Sequence, residues 1–297
     1  MLPSINPVPD RKTRAIQSAF VGALYSSSIL IVALVAAIGF VLILGAWASI
    51  SSHGIGVVFV DDKWFPSIGQ FGAAPMFVSS MVVALCAVLI VAPFGIGVAI
   101  FNHFYAHRVI ATLVRRFLNV ATAIPSVVFG LWGLVTIVPL IALLKPPGVS
   151  LLATVLVLAL MVMPTLALLA DLTIGQVPRA YVIAATALGA TKEENIFLTL
   201  RFATRGLSSA LAFSFCRAIG ETMVVLMLSG NIVAWPIDPL AQIRVVAANI
   251  ALEMPYATGE HRSILFLGSL VLIVFISIVT FFGVRLMDNK GAECVRS

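Results

Sequence analysis

Charged side chains are scarce in this sequence, forming 10% of its 297 residues, while 61% are apolar. An ordinary soluble domain carries about 25% charged residues, so that class is excluded and a polytopic membrane protein is implied. A GxxxxGK[ST] phosphate loop is also missing, which excludes a nucleotide-hydrolysing engine within the chain. Cysteine is confined to Cys86 and Cys216 in apolar stretches and Cys294 in the C-terminal tail. No pair of them is placed to form a structural disulfide in an oxidising compartment. The largest polar segments, near 174–205 and 231–262, leave no room for a soluble domain. The apolar stretches hold no Ser/His set, paired aspartates or metal-ligand set, which argues against an intramembrane enzyme.

What is present is a series of apolar stretches near 18–49, 76–103, 118–144, 151–173, 206–230 and 263–286. Each reaches the roughly 20 residues that cross a bilayer core. The predicted class is therefore an all-α membrane protein with six transmembrane helices. The first stretch passes AWAS at 46–49, which resembles a signal-peptidase site. Its apolar run is much longer than a signal h-region of about 7–15 residues, so a retained helix is expected.

A cytoplasmic N-terminus sorts the basic residues. Arg11, Lys12, Arg14, Arg108, Arg115, Arg116, Arg179, Lys192, Arg201, Arg205, Arg285, Lys290 and Arg296 then fall inside. Only Lys63, Lys145, Arg244 and Arg262 fall outside, and Arg217 stays within the fifth stretch. The bias places both termini in the cytoplasm. It also accounts for the net charge of +6 without invoking nucleic acid.

Between these stretches the chain has recognisable punctuation. MLPSINPVPD at 1–10 reads as a polar tail, and Trp47 and Trp64 read as interfacial anchors. Pro93, Pro125, Pro139 and Pro164 interrupt apolar stretches and predict kinks. For the third stretch, with glycines in AIPSVVFGLWG, pathway lining and simple packing are equal readings. The loop 174–205 predicts a short helix through Ala184, Ala185, Ala187 and Leu188, a turn at Gly189 and a second helix. Thr191 followed by Glu194 resembles a capping box opening that helix. Apolar residues on such a loop point to a docking role.

The fifth stretch carries CRAIGETMVV at 216–225, with Arg217 and Glu221 four residues apart. That spacing places both on one face of a continuous helix, and an intramembrane ion is by default a functional-site candidate. Three readings remain open: a structural ion pair, a proton relay through Glu221, or an anion path through Arg217. A relay normally needs further intramembrane acids or histidines, and Asp171 lies only near the cytoplasmic end of its own stretch. Guanidinium stays charged and matches a tetrahedral oxyanion with two hydrogen bonds. Anion passage, with Glu221 as the resting partner of Arg217, uses both charges best. His103 and His107 form an incomplete metal site and read as helix-end residues, while Asn102 is suited to bonding another helix.

Three runs together resemble a known family. ALGATKEENI at 187–196, after IAAT, resembles the cytoplasmic EAA-type loop of ABC importer permeases. RAIGETMVVLMLSGN at 217–231 and AIPSVVFGLWGL at 123–134 are similar to the fifth- and third-span motifs of phosphate-specific permeases, of the PstC type. The resemblance implies a type I importer that moves inorganic phosphate across the bacterial inner membrane by alternating access. Its partners would be a homologous PstA-type permease, two PstB-type ATPases and an extracytoplasmic PstS-type phosphate-binding protein. The chain itself would be no enzyme and hold no cofactor, ATP and Mg belonging to the ATPase.

On the same resemblance, Arg217, Glu221 and Thr222 map to the substrate pathway. Ala184, Ala185, Leu188, Gly189, Ala190 and Thr191 map to the ATPase-coupling loop. The implied organisation is an N-terminal cytoplasmic tail at 1–17, a permease domain at 18–286 containing the coupling loop 174–205, and a C-terminal cytoplasmic tail at 287–297. Three features depart from the family pattern. Ile183 stands where the EAA pattern has glutamate, Arg201 and Phe202 replace a leucine-proline pair, and the KPPGV loop is short. Permeases for molybdate, tungstate or phosphonate, and a membrane sensor or scaffold for phosphate, are the alternatives.

Overall fold

The computed structural model describes residues 11–60 and 62–288. The polar tail 1–10 and Lys290, Cys294 and Arg296 lie outside the described residues. The chain opens with α1 (Arg11–His53), which carries the first apolar stretch without interruption. A short helix α2 (Val57–Val60) leads to a hairpin of β1 (Trp64–Phe65) and β2 (Gln70–Phe71). The two strands are antiparallel, with Trp64 opposite Phe71. Next come α3 (Ala74–Ile100), ending in a widened turn at Phe101–Tyr105, then α4 (Arg108–Thr122), α5 (Ser126–Ala142) and α6 (Leu151–Gly175). The remainder is α7 (Arg179–Ala187), α8 (Lys192–Ile219), α9 (Met223–Leu228), α10 (Val246–Glu253) and α11 (Gly259–Asp288).

Among the described residues, four helical segments are long and apolar enough to cross a membrane: Phe20–Ser52, Ala74–Tyr105, Leu151–Gly175 and Gly259–Arg285. The bent pair α4–α5 would make a fifth. Two expected stretches therefore differ from straight spans. The third is bent by 89° between α4 and α5. Pro125 has extended backbone there (φ −60°, ψ 140°), which ends one helix and starts the next. Pro93, Pro139 and Pro164, by contrast, stay inside their helices. The fifth stretch is broken after Ile219, and its helix extends in the other direction, back to Lys192.

Packing is densest where α3 and α6 meet. Ser80, Ala84, Ala87, Val91 and Ala99 are buried along α3, small side chains that let two backbones approach. Inside a membrane the association of helices rests on such close packing more than on exclusion of water. α6 is the most enclosed helix, with Leu158, Val162 and Leu166 wholly buried. α1 packs chiefly on α11 and leaves most of its apolar surface open.

Buried polar groups hold the end of the bundle from which α7 emerges. Asp171 of α6 is buried and accepts from Arg115 of α4 through Nε at 2.7 Å and Nη2 at 3.2 Å. Asn102 donates to the same carboxylate at 3.2 Å, and His103 Nε2 lies 3.0 Å from the Asp171 carbonyl oxygen. Asn102 thus bonds another helix, as its position in the sequence implied. A carboxylate with this many donors is satisfied despite burial, and it clamps α3, α4 and α6 together.

Candidate functional site

The charged pair of the fifth stretch sits at a discontinuity. α8 closes at Ile219 with Gly220 as its cap, and Glu221 N reaches only the carbonyl of Ala218, at 3.3 Å. Helical structure resumes at Met223, with Thr222 at the position before it. Arg217 in the last turn of α8 and Glu221 beyond it consequently do not share one continuous helix face, which corrects the expectation from their spacing. Neither side chain has a hydrogen-bond or ion-pair partner among the described residues. Glu221 as the resting partner of Arg217 is thus not the arrangement found.

The surroundings show how the break is held. α9 packs on α5, where an added Cβ at Gly130 would meet Met227 Sδ at 2.8 Å and Val224 Cα at 3.4 Å. At Gly133 it would meet Val157 at 2.5 Å and Leu228 at 3.1 Å. The glycines of FGLWG therefore serve close packing, one of the two readings left open by the sequence. The carbonyls at the end of α9 are also used, since Ser150 N donates to Leu228 O and Ile243 N to Ser229 O, each at 2.9 Å. Val224, Val225 and Leu228 are buried, whereas Arg217, Gly220 and Met223 are exposed. Among the described residues nothing neutralises this guanidinium, which stands on an open face beside the break.

The second candidate region is the helical pair α7–α8. α7 ends in a Schellman arrangement: Gly189 N donates to Thr186 O and Ala190 N to Ala185 O, both at 3.0 Å. Gly189 has φ +89°, a left-handed conformation that glycine adopts without the cost a Cβ brings. Thr191 then opens α8 with the expected capping box, its N–H donating to Glu194 Oε2 at 2.7 Å and its hydroxyl accepting from Glu194 N at 3.3 Å. Ala184, Leu188, Gly189 and Thr191 are exposed, while Ala185 and Ala190 are half-buried. Leu188 is 91% exposed, and Ile183 also projects from a helix with no fully buried residue. Asn195 donates to Thr186 Oγ1 at 3.0 Å and Tyr181 stacks on Phe202 at 4.6 Å, so α7 rides on α8.

One cluster escaped the sequence. Trp64 is 7% exposed, not an interfacial anchor, and its Nε1 donates to Glu253 Oε2 at 2.8 Å. Arg244 Nη1 donates to Glu253 Oε1 at 2.8 Å, and His261 Nε2 lies 2.8 Å from Oε2. Because a carboxylate only accepts, Nε2 must be the protonated nitrogen of that histidine. These groups come from the hairpin, the loop before α10, α10 and α11. A partner 189 positions away leaves no trace in local periodicity; the only hint was the isolated glutamate in NIALEMP.

Residues 91–290 match the model of a family described as the binding-protein-dependent transport system inner membrane component. Among curated relatives, a Haemophilus influenzae phosphate transport system permease protein PstC is 30% identical over 285 residues, covering 89% of this chain and 90% of its own. Its Mesorhizobium japonicum namesake is 26% identical, covering 90% of each. A probable ABC transporter permease protein YqgH of Bacillus subtilis is 30% identical over 75% of this chain and 76% of its own. Among solved structures, the inward-facing MetNI methionine ABC transporter aligns with a TM-score of 0.55 at 16% identity, over 70% of this chain and 91% of that one. That likeness gives the fold as the type I ABC importer permease fold. With the family model spanning most of it, the chain belongs to the inner-membrane permease components of binding-protein-dependent transport systems.

Proposed function

We propose that this permease carries inorganic phosphate into the bacterial cell. As a member of its family it is a multi-pass inner-membrane permease, not an enzyme, and works with a separate ATPase and a binding protein. The specific partners proposed are a PstA-type permease, two PstB-type ATPases and a PstS-type phosphate-binding protein. The observation that carries the reading is Arg217, a permanently charged side chain left unpaired and exposed where α8 breaks. An unsatisfied guanidinium inside a membrane segment is costly unless something meets it in use. A divalent tetrahedral oxyanion fits that need with paired hydrogen bonds, and the names of relatives point to phosphate.

In this reading Arg217, Glu221 and Thr222 border the path. Glu221, across the break from the arginine, limits trapping of the anion by keeping negative charge nearby. Ala184, Ala185, Leu188, Gly189, Ala190 and Thr191 meet the ATPase, whose hydrolysis of ATP switches access from one side to the other. The helices make six crossings with both termini in the cytoplasm if α4–α5 and α8–α9 each count as one. The permease domain then runs over 18–286, with 174–205 as the coupling loop and tails at 1–17 and 287–297.

The test is uptake of labelled phosphate in cells lacking other high-affinity uptake, with this chain and its partners expressed. Flux that disappears in Arg217→Ala and is unaffected by excess molybdate is expected. Flux retained by Arg217→Ala at normal expression removes the arginine from the path, and competition by molybdate replaces phosphate with a broader oxyanion class.

A further inference from the structure

The buried cluster around Glu253 is linked to the broken fifth stretch by an unbroken series of hydrogen bonds. Asn231 lies just past α9 in the left-handed region, φ 57°, where asparagine is among the few tolerated residues. Its Nδ2 donates to Leu226 O at 2.8 Å, closing the last turn of α9, and Ser229 Oγ donates to its Oδ1 at 3.2 Å. Its backbone carbonyl accepts from Arg244 Nε at 2.7 Å. Arg244 in turn spends Nη1 on Asn249 Oδ1 at 3.0 Å and on Glu253 Oε1 at 2.8 Å. Glu253 is held through its other oxygen by Trp64 of the hairpin and His261 of α11.

Stability alone does not call for such a device. Well-packed apolar side chains in place of a buried ion pair are often as stabilising or more so. What apolar side chains cannot do is hold a backbone carbonyl in place, and the Asn231 carbonyl is held here by a guanidinium that is itself fixed on two sides. Arg244 and Glu253 have side chains 19% and 9% exposed, so both work away from bulk solvent. Across the molecule the arrangement connects the scaffold, through β1, α10 and α11, to the far end of the short helix that begins beside Glu221 and Thr222.

We propose that Arg244 and Glu253 are positioning residues for transport: they fix the outer end of α9 so that the break at 220–222 is the one place where the fifth stretch yields. The consequence for transport rests on the phosphate reading above, while the mechanical statement does not.

The assembled complex with its ATPase, binding protein and sister permease is reconstituted as wild type, Arg244→Lys and Glu253→Gln. Arg244→Lys keeps a cation opposite Glu253 but removes the Nε donor to Asn231. Amide hydrogen exchange over 223–231 is expected to quicken at least about tenfold in both variants, with 151–175 unchanged. Phosphate delivered per ATP hydrolysed is expected to fall by a similar factor, while ATP hydrolysis persists. Exchange over 223–231 equal to wild type in Arg244→Lys overturns the proposal. Faster exchange with an unchanged phosphate-to-ATP ratio overturns the role in transport and leaves a structural staple. Should Glu253→Gln fail to assemble, Arg244→Lys decides alone. A wild-type complex that moves no phosphate sinks the substrate reading, and the exchange measurement still tests the tether.

Discussion

Asp171 and Glu253 are buried carboxylates that accept from donors on several elements; Glu221 and Arg217 are opposite charges four residues apart with no partner among the described residues. All four sit in a chain with few charges to spare. The first two are ringed by groups from several elements and join helices that would otherwise be free to slide. The second two stand beside an interruption of the backbone and join nothing. Paired buried charge here is architecture, and the unpaired charge is what the proposed anion path would put to use.

That contrast can be broken most severely at the unpaired site. Glu221→Gln, which removes the negative charge beside the proposed path, is expected to lower phosphate uptake per assembled complex by about tenfold or more, without altering yield or thermal stability. Uptake at the wild-type rate would place Glu221 with the bystanders. The converse is expected at the paired site: Asp171→Asn removes the negative charge and one of the two oxygens that accept from Arg115, and costs about 2 kcal/mol of stability. The figure is kept below that of a fully buried pair because the Arg115 side chain is 39% exposed. A thermal unfolding curve indistinguishable from wild type would show that the clamp is idle.

A smaller effect belongs to the α7–α8 turn. Gly189→Ala puts a Cβ on a left-handed residue at a cost of about 1 kcal/mol, although the space around it is open. Gly189→Asp adds a charge to the same exposed turn. Both are expected to reduce the amount of ATPase co-purified with the complex, the aspartate more; unchanged recovery in both would move the docking surface elsewhere.

The smallest effect is expected from the exposed pair Lys145–Asp238, 2.6 Å apart. The hydrogen bond from Lys145, helped by that from Leu240 N, holds the Asp238 carboxyl below its ordinary range. A lowered folded value means that the contribution is present above the ordinary carboxylate range and disappears as pH falls through the lowered value. Lys145→Gln should raise the Asp238 titration midpoint, read by carbon-13 NMR, and leave neutral-pH stability nearly unchanged. A large loss of stability at neutral pH would place this pair with the architectural ones.

Much of the helical architecture was legible because it is local. The long apolar stretches, the capping box at Thr191 and Glu194, and the turn at Gly189 each depend on residues within a few positions of one another. The break at 220–222 was not legible, since Gly220 and Thr222 lie in an apolar run that reads as one helix, and their effect depends on α5 and α6 receiving α9. The bend at Pro125 was visible as an interruption but not as a right-angled turn. Trp64 was misplaced for a similar reason: an aromatic near an apolar stretch looks interfacial until its distant acceptor is known. Arg217 and Glu221 were found from charge in an apolar stretch, which needs no fold, and Thr222 from the family resemblance alone, while the mutual geometry of the three needed all of it.

The joint between α7 and α8 has a mechanical meaning. Because Asn195 and Phe202 fasten α7 to the first turns of α8, and α8 runs unbroken from Lys192 to Ile219, the two form a lever. At 1.5 Å per residue its arm is about 42 Å long. A tilt of a few degrees imposed at Leu188 would thus arrive at Arg217 as a displacement of about 2–4 Å by the same geometry, the size of a hydrogen bond made or lost.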